Sequence, residues 1–191
     1  MIKRMVIAAL LLFVSGEALA QEVPFQATEA YRAYQLDRLE ADRALYLAMV
    51  DSMSDEAFME GGMHGFAMRT RRIVRRINFS HVRLAGGHGP ALPTAAEAMM
   101  RDGLKEYING VYDYGAELLM SQSEEKRLAT VDLFSTRLPM WRVWDALHEQ
   151  ALWNAGQLVH FFRDRNLVYP TPPLTSDAAP AAEEPPSGTT H

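Results

Sequence analysis

The sequence predicts an all-α chain of four helices long enough to pack as a bundle. Three observations carry this expectation. Apolar residues recur at intervals of three, four and seven through four separate stretches. Glycines, prolines and short polar runs interrupt the chain between them. No stretch gives a convincing strand.

The first helix is expected over 28–53, with Thr28 as its N-cap. Tyr34, Ala41, Leu45 and Ala48 form one stripe, flanked by Leu36, Leu39, Tyr46, Val50 and Met53. Ser54-Asp55-Glu56 can cap a short turn before the glycines at 61, 62 and 65 break the pattern. The second helix is expected over 66–85, where Gly86-Gly87-His88-Gly89-Pro90 stops it. Thr94 with Glu97 three residues on is a capping box opening the third helix. Its apolar face is Met100, Leu104, Ile108, Val111, Gly115 and Leu118. A polar connection follows, with a short helical piece over 124–134, and Pro139 opens the fourth helix. That helix is free of proline to Arg165, with Val143, Leu147, Ala151, Leu158 and Phe162 on one side. Asn166 suits a left-handed cap and Pro170 forbids continuation.

Lys3 and Arg4, an apolar run to Gly16 and the Ala18-Leu19-Ala20 end have the form of a secretory signal peptide, with processing expected after Ala20. The expected organisation is therefore a signal peptide over 1–20, a helical domain over 21–173 and a disordered Pro/Ala-rich tail over 174–191, in a periplasmic or secreted protein. Removing the tail from Thr175 onward is expected to leave stability unchanged within about 0.5 kcal/mol. No later stretch is apolar enough to cross a membrane. The formal charge of −5 argues against a nucleic-acid footprint. With no cysteine there is no disulfide, thiolate ligand or cysteine nucleophile, so core burial alone must hold the fold. The scattered methionines fill core gaps on this reading rather than hold copper or haem.

Chemistry-bearing residues gather on the second and fourth helices. Gln150, Asn154 and Gln157 follow i, i+4, i+7 and share one face, so three carboxamides point the same way. His81 lies in the stripe Phe66, Ile73, Ile77, His81, Leu84 and is placed on a buried face. Arg69, Arg71, Arg72, Arg75, Arg76 and Arg83 make the outer side of the second helix basic. Two readings of that face stay open: an anionic partner, or pairing with Asp37, Glu40 and Asp42 of the first helix. Asp145, His148 and Glu149 offer a further ligand set, with Asp145 and Glu149 expected to face solvent beside Arg142.

Gly156-Gln157-Leu158-Val159, Arg163, Val168 and Pro170 resemble the C-terminal helix of the DinB-like superfamily. That pattern runs His-x-x-x-His-x-Gly-Gln-hydrophobic, then an Arg, a turn and prolines. Gln150 and Asn154 stand where the pattern has its two histidines, and His81 stands where the second helix supplies a third. The resemblance implies a DinB-like four-helix bundle. Its three-histidine site would suit zinc or nickel, and some members are metal-dependent thiol transferases or isomerases. With amides in place of two ligands, it implies a vestigial metal site and a binding or structural role, with no cofactor. The alternative is a divalent-metal-dependent enzyme, of transferase or hydrolase type, using His81 with amide and water ligands. A homodimer is a further expectation. His81, Gln150 and Asn154 are expected to converge in one polar pocket, where Gln150→His with Asn154→His would recreate a three-histidine site.

Overall fold

The computed structural model describes residues 25–133 and 136–170. The expected signal peptide and tail lie outside them. Helix accounts for 74 % of these residues, so the chain is all-α in character.

Four long helices carry the core: α1 (Glu29–Ser52), α3 (Phe66–Ala85), α5 (Arg101–Met120) and α7 (Met140–Gly156). Short helices α2 (Asp55–Met59), α4 (Ala95–Ala98), α6 (Glu124–Leu128) and α8 (Val159–Arg163) stand between and after them. Helices α1 and α3 each pack against both α5 and α7. Among the described residues no helix is long and apolar enough to cross a membrane.

Local chemistry explains most of the boundaries. The Thr28 hydroxyl accepts from the Tyr31 amide, and Ser54 accepts from Ala57 at the start of α2. Helix α3 begins after Gly65 and ends at Gly86, whose φ of 67° is left-handed. Thr94 and Glu97 form the expected capping box, but it caps only the short α4. The chain turns at Met99 and Met100 before α5 begins. Gly103 allows this turn, because a Cβ there would lie 2.4 Å from the Glu97 carbonyl oxygen.

Two elements depart from expectation. Instead of continuing as helix to 134, the chain after Leu128 forms an antiparallel hairpin, β1 (Thr130–Leu133) with β2 (Thr136–Pro139), pairing Val131 with Leu138. Val131 and Leu138 pack against an apolar cluster of Leu119, Met140, Val143, Trp144 and Leu147, which rewards the extended form at a β-branched position. The fourth long helix ends at Gly156 rather than 165. The amides of Gln157 and Leu158 each bond a carbonyl three residues back, a tightened turn. Helix α8 then restarts with Phe161 and Phe162 packed edge-on to Phe66. Asn166 takes φ 53°, the left-handed conformation expected of it.

The main core joins all four long helices through Leu45, Met49, Ile73, Ile108, Val111 and Ala151, among others. Several polar side chains are buried with it, including Gln35, Asp42, His81, Arg127, Asp145 and Asn154.

Candidate functional site

Buried polar groups need partners, so the site is best traced by following where each of these side chains finds one. His81 on α3 is 1 % exposed. Its Nδ1 lies 3.2 Å from the Val111 carbonyl on α5, its ring is 5.6 Å from that of Trp144, and Gly115 leaves room for it. A Cβ at Gly115 would approach His81 Cε1 to 2.5 Å. Burial lowers the imidazole pKa to about 4, against the opposing effect of the Val111 bond. The ring is therefore neutral at neutral pH, with Nδ1–H donating to the carbonyl and Nε2 left as an acceptor.

Beside it, Asp42 of α1 is 2 % exposed, and His148 Nδ1 of α7 donates to its Oδ2 at 2.8 Å. Burial raises the Asp42 pKa, while the His148 bond and charge hold it back. Asp145 is buried too: it accepts from the Tyr31 hydroxyl at 2.7 Å and from Gln35 Nε2 at 3.0 Å, and pairs with Arg38. The expected place for Asp145, facing solvent beside Arg142, is thus corrected. Three groups of α1 satisfy an inward carboxylate there, and Glu149 alone of the two hydrogen-bonds Arg142, at 2.8 Å. His81, Asp42, Asp145, His148, Tyr112 and Trp144 all line one cavity of about 20 Å³.

A second, open groove of about 580 Å³ lies between α3 and α7, lined by Arg72, Arg75, Arg76, Phe79, Ser80 and Gln150. Here the amide stripe and the basic face meet. Asn154 is buried; its Oδ1 accepts from Gln157 Nε2 at 3.3 Å, and Gln157 Oε1 accepts from Arg69 at 2.9 Å. Gln150 is exposed and stands among the arginines. The structure therefore brings Gln150 to the basic groove and His81 to the internal cavity, not all three predicted positions into one pocket. Successive helical residues are about 100° apart, and it is Ser80, not His81, that α3 turns to the groove. Among the described residues no group of three or more His, Asp or Glu side chains is placed to hold a metal ion.

The arginines of this groove do not pair with acids of α1. Glu40 is taken by Arg43 and Asp42 by His148. Arg71 donates to the Pro93 carbonyl, and Arg72 to the carbonyls of Met63 and Met68. The guanidinium groups of Arg75 and Arg76 make no hydrogen bond or ion pair among the described residues, although the Arg76 carbonyl accepts from the Ser80 hydroxyl. By contrast, Arg38, Arg43, Arg101, Arg142 and Arg165 each hold a carboxylate.

Three residues of consequence escape the sequence patterns. Asp42 is seven residues from Gln35 and from Met49, so that spacing could have placed it inward. Tyr112, four residues after Ile108 and three before Gly115, has the same kind of inward spacing, while the fully buried Arg127, which donates to the Gln26 carbonyl and to Gln35, carries no such mark. Comparison of the chain with protein-family models, with curated proteins and with solved structures finds no match.

Proposed function

We propose that this chain is an exported, DinB-like four-helix bundle with a vestigial metal site. In this reading it acts by binding, and its Arg72, Arg75 and Arg76 groove receives an anionic partner bearing carboxylate or phosphate groups. One observation carries the proposal: Gln150, at a position where the resemblance expects a metal ligand, stands among three arginines. Like charges there disfavour a divalent cation and favour an anion. Guanidinium groups present planar paired donors that match carboxylate and phosphate geometry. Ser80 and Gln150 border the same groove with an uncharged hydroxyl and amide. Arg75 and Arg76 are available, since no described residue occupies their donors. The groove, at about 580 Å³, is in the range of small-molecule sites.

Calorimetric titration of the protein at low ionic strength, with citrate, with inorganic phosphate and with zinc, tests this reading. Saturable heat with at least one anion and none with zinc is expected. Heat no greater than dilution with both anions would overturn the anion site, and tight zinc binding would overturn the vestigial assignment in favour of the metal-dependent alternative.

A further inference from the structure

Three polar atoms around the internal cavity have no hydrogen-bond partner among the described residues. Asp42 Oδ1 and Tyr112 Oη are buried without one. His81 Nδ1 is committed to the Val111 carbonyl, and no bond engages its Nε2. Asp42, Tyr112 and His81 all line the same cavity, which at about 20 Å³ has room for one water molecule. A buried carboxylate oxygen or hydroxyl left unmatched is costly, so such groups in folded proteins are found with partners.

The donors and acceptors of these three atoms have a complementary form. Asp42 Oδ1 accepts only, and neutral His81 Nε2 accepts only. The Tyr112 hydroxyl has a proton to give, and burial raises its pKa so that it keeps that proton. A water molecule has two O–H groups and an oxygen that accepts. We propose that the cavity is a binding site for a single structural water, which donates to Asp42 Oδ1 and His81 Nε2 and accepts from Tyr112 Oη. A water with three such partners has the usual coordination of a buried one.

The consequence is architectural. Asp42 belongs to α1, His81 to α3 and Tyr112 to α5, while His148 of α7 already donates to the other oxygen of Asp42. The water would complete a hydrogen-bonded chain through all four long helices, from partly exposed His148 to buried His81. The site takes a neutral molecule of water size. Arg38 lines the same cavity, the Asp145 carboxylate is already satisfied by three donors, and the remaining Asp42 oxygen and His81 nitrogen fall short of the three or more ligands a metal ion needs among the described residues.

A crystal structure of the protein, at a resolution that orders internal waters, decides the proposal, with Tyr112→Phe as the companion variant. One density peak within hydrogen-bond distance of Asp42 Oδ1, His81 Nε2 and Tyr112 Oη is expected, and its occupancy should fall in Tyr112→Phe. A cavity without density, a peak that misses any of the three atoms, a cation identified by anomalous scattering, or undiminished occupancy in the variant would overturn it. Should the variant not fold, the wild-type density alone decides.

Discussion

His148 Nδ1 lies 2.8 Å from Asp42 Oδ2, and this contact ties α7 to α1 at a carboxylate that is 2 % exposed. Removing the imidazole leaves the buried Oδ2 of that carboxylate without its donor. His148→Ala is expected to cost about 2 kcal/mol, the scale of an unsatisfied buried acceptor. It should also raise the Asp42 pKa further, because the His148 bond is what opposes burial there. Urea denaturation at pH 7 measures the first effect. NMR titration of the Asp42 carboxyl carbon measures the second.

His81 gives the fold a defined acid sensitivity. Its folded pKa of about 4 lies below its ordinary value of 6.5, so between those values the unfolded chain binds the extra proton. Stability from this group is full above about 6.5 and is lost as pH falls toward 4. At roughly 1.4 kcal/mol per pKa unit, the loss approaches about 3 kcal/mol. Asp42, with its raised pKa, contributes in the opposite sense on acidification. The difference between wild type and His81→Gln isolates the histidine. Urea midpoints from pH 7 to 4.5 should fall more steeply for the wild type, and parallel profiles would contradict this.

Gly115 is where α5 gives way to the His81 ring. A methyl group there would approach Cε1 to 2.5 Å and Nδ1 to 2.9 Å. The ring cannot retreat easily, since Val111 bonds it and Trp144 packs against it. Gly115→Ala is expected to destabilise by about 1 to 3 kcal/mol despite the better helix propensity of alanine. Thermal unfolding measures it.

Much of this fold was legible because its punctuation is local. Helix α3 starts after Gly65 and stops at Gly86, and the sequence marks both ends. The inward placement of His81 follows from its stripe with Phe66, Ile73 and Ile77. The hairpin was not legible, since β1 and β2 are four residues each and depend on packing against Leu119 and Trp144. Nor was the separation of Gln150 from His81. Periodicity gives the face of each helix but not how two helices are rotated against each other. Asp42 and Asp145 were misplaced for a related reason. A carboxylate reads as surface until another helix supplies its donors.

That separation changes what histidines at 150 and 154 should do. Gln150→His with Asn154→His would place imidazoles beside Arg72, Arg75 and Arg76 rather than around the His81 cavity. Like-charge repulsion opposes a divalent ion there. Zinc titration of the folded double variant is expected to show no tight site. Micromolar or better binding would show that positions 81, 150 and 154 do converge.

The affinity for citrate of the wild type and of Arg75→Gln with Arg76→Gln, compared by calorimetry at low and at raised salt, bears most directly on the anion-binding groove. The wild type should bind saturably and lose affinity as salt is added. The double variant should bind at least about tenfold more weakly, a difference of about 1.4 kcal/mol. Its thermal unfolding should be unchanged, because neither guanidinium has a partner among the described residues to lose. Equal affinity in the two proteins, or binding that is indifferent to salt, would contradict the assignment.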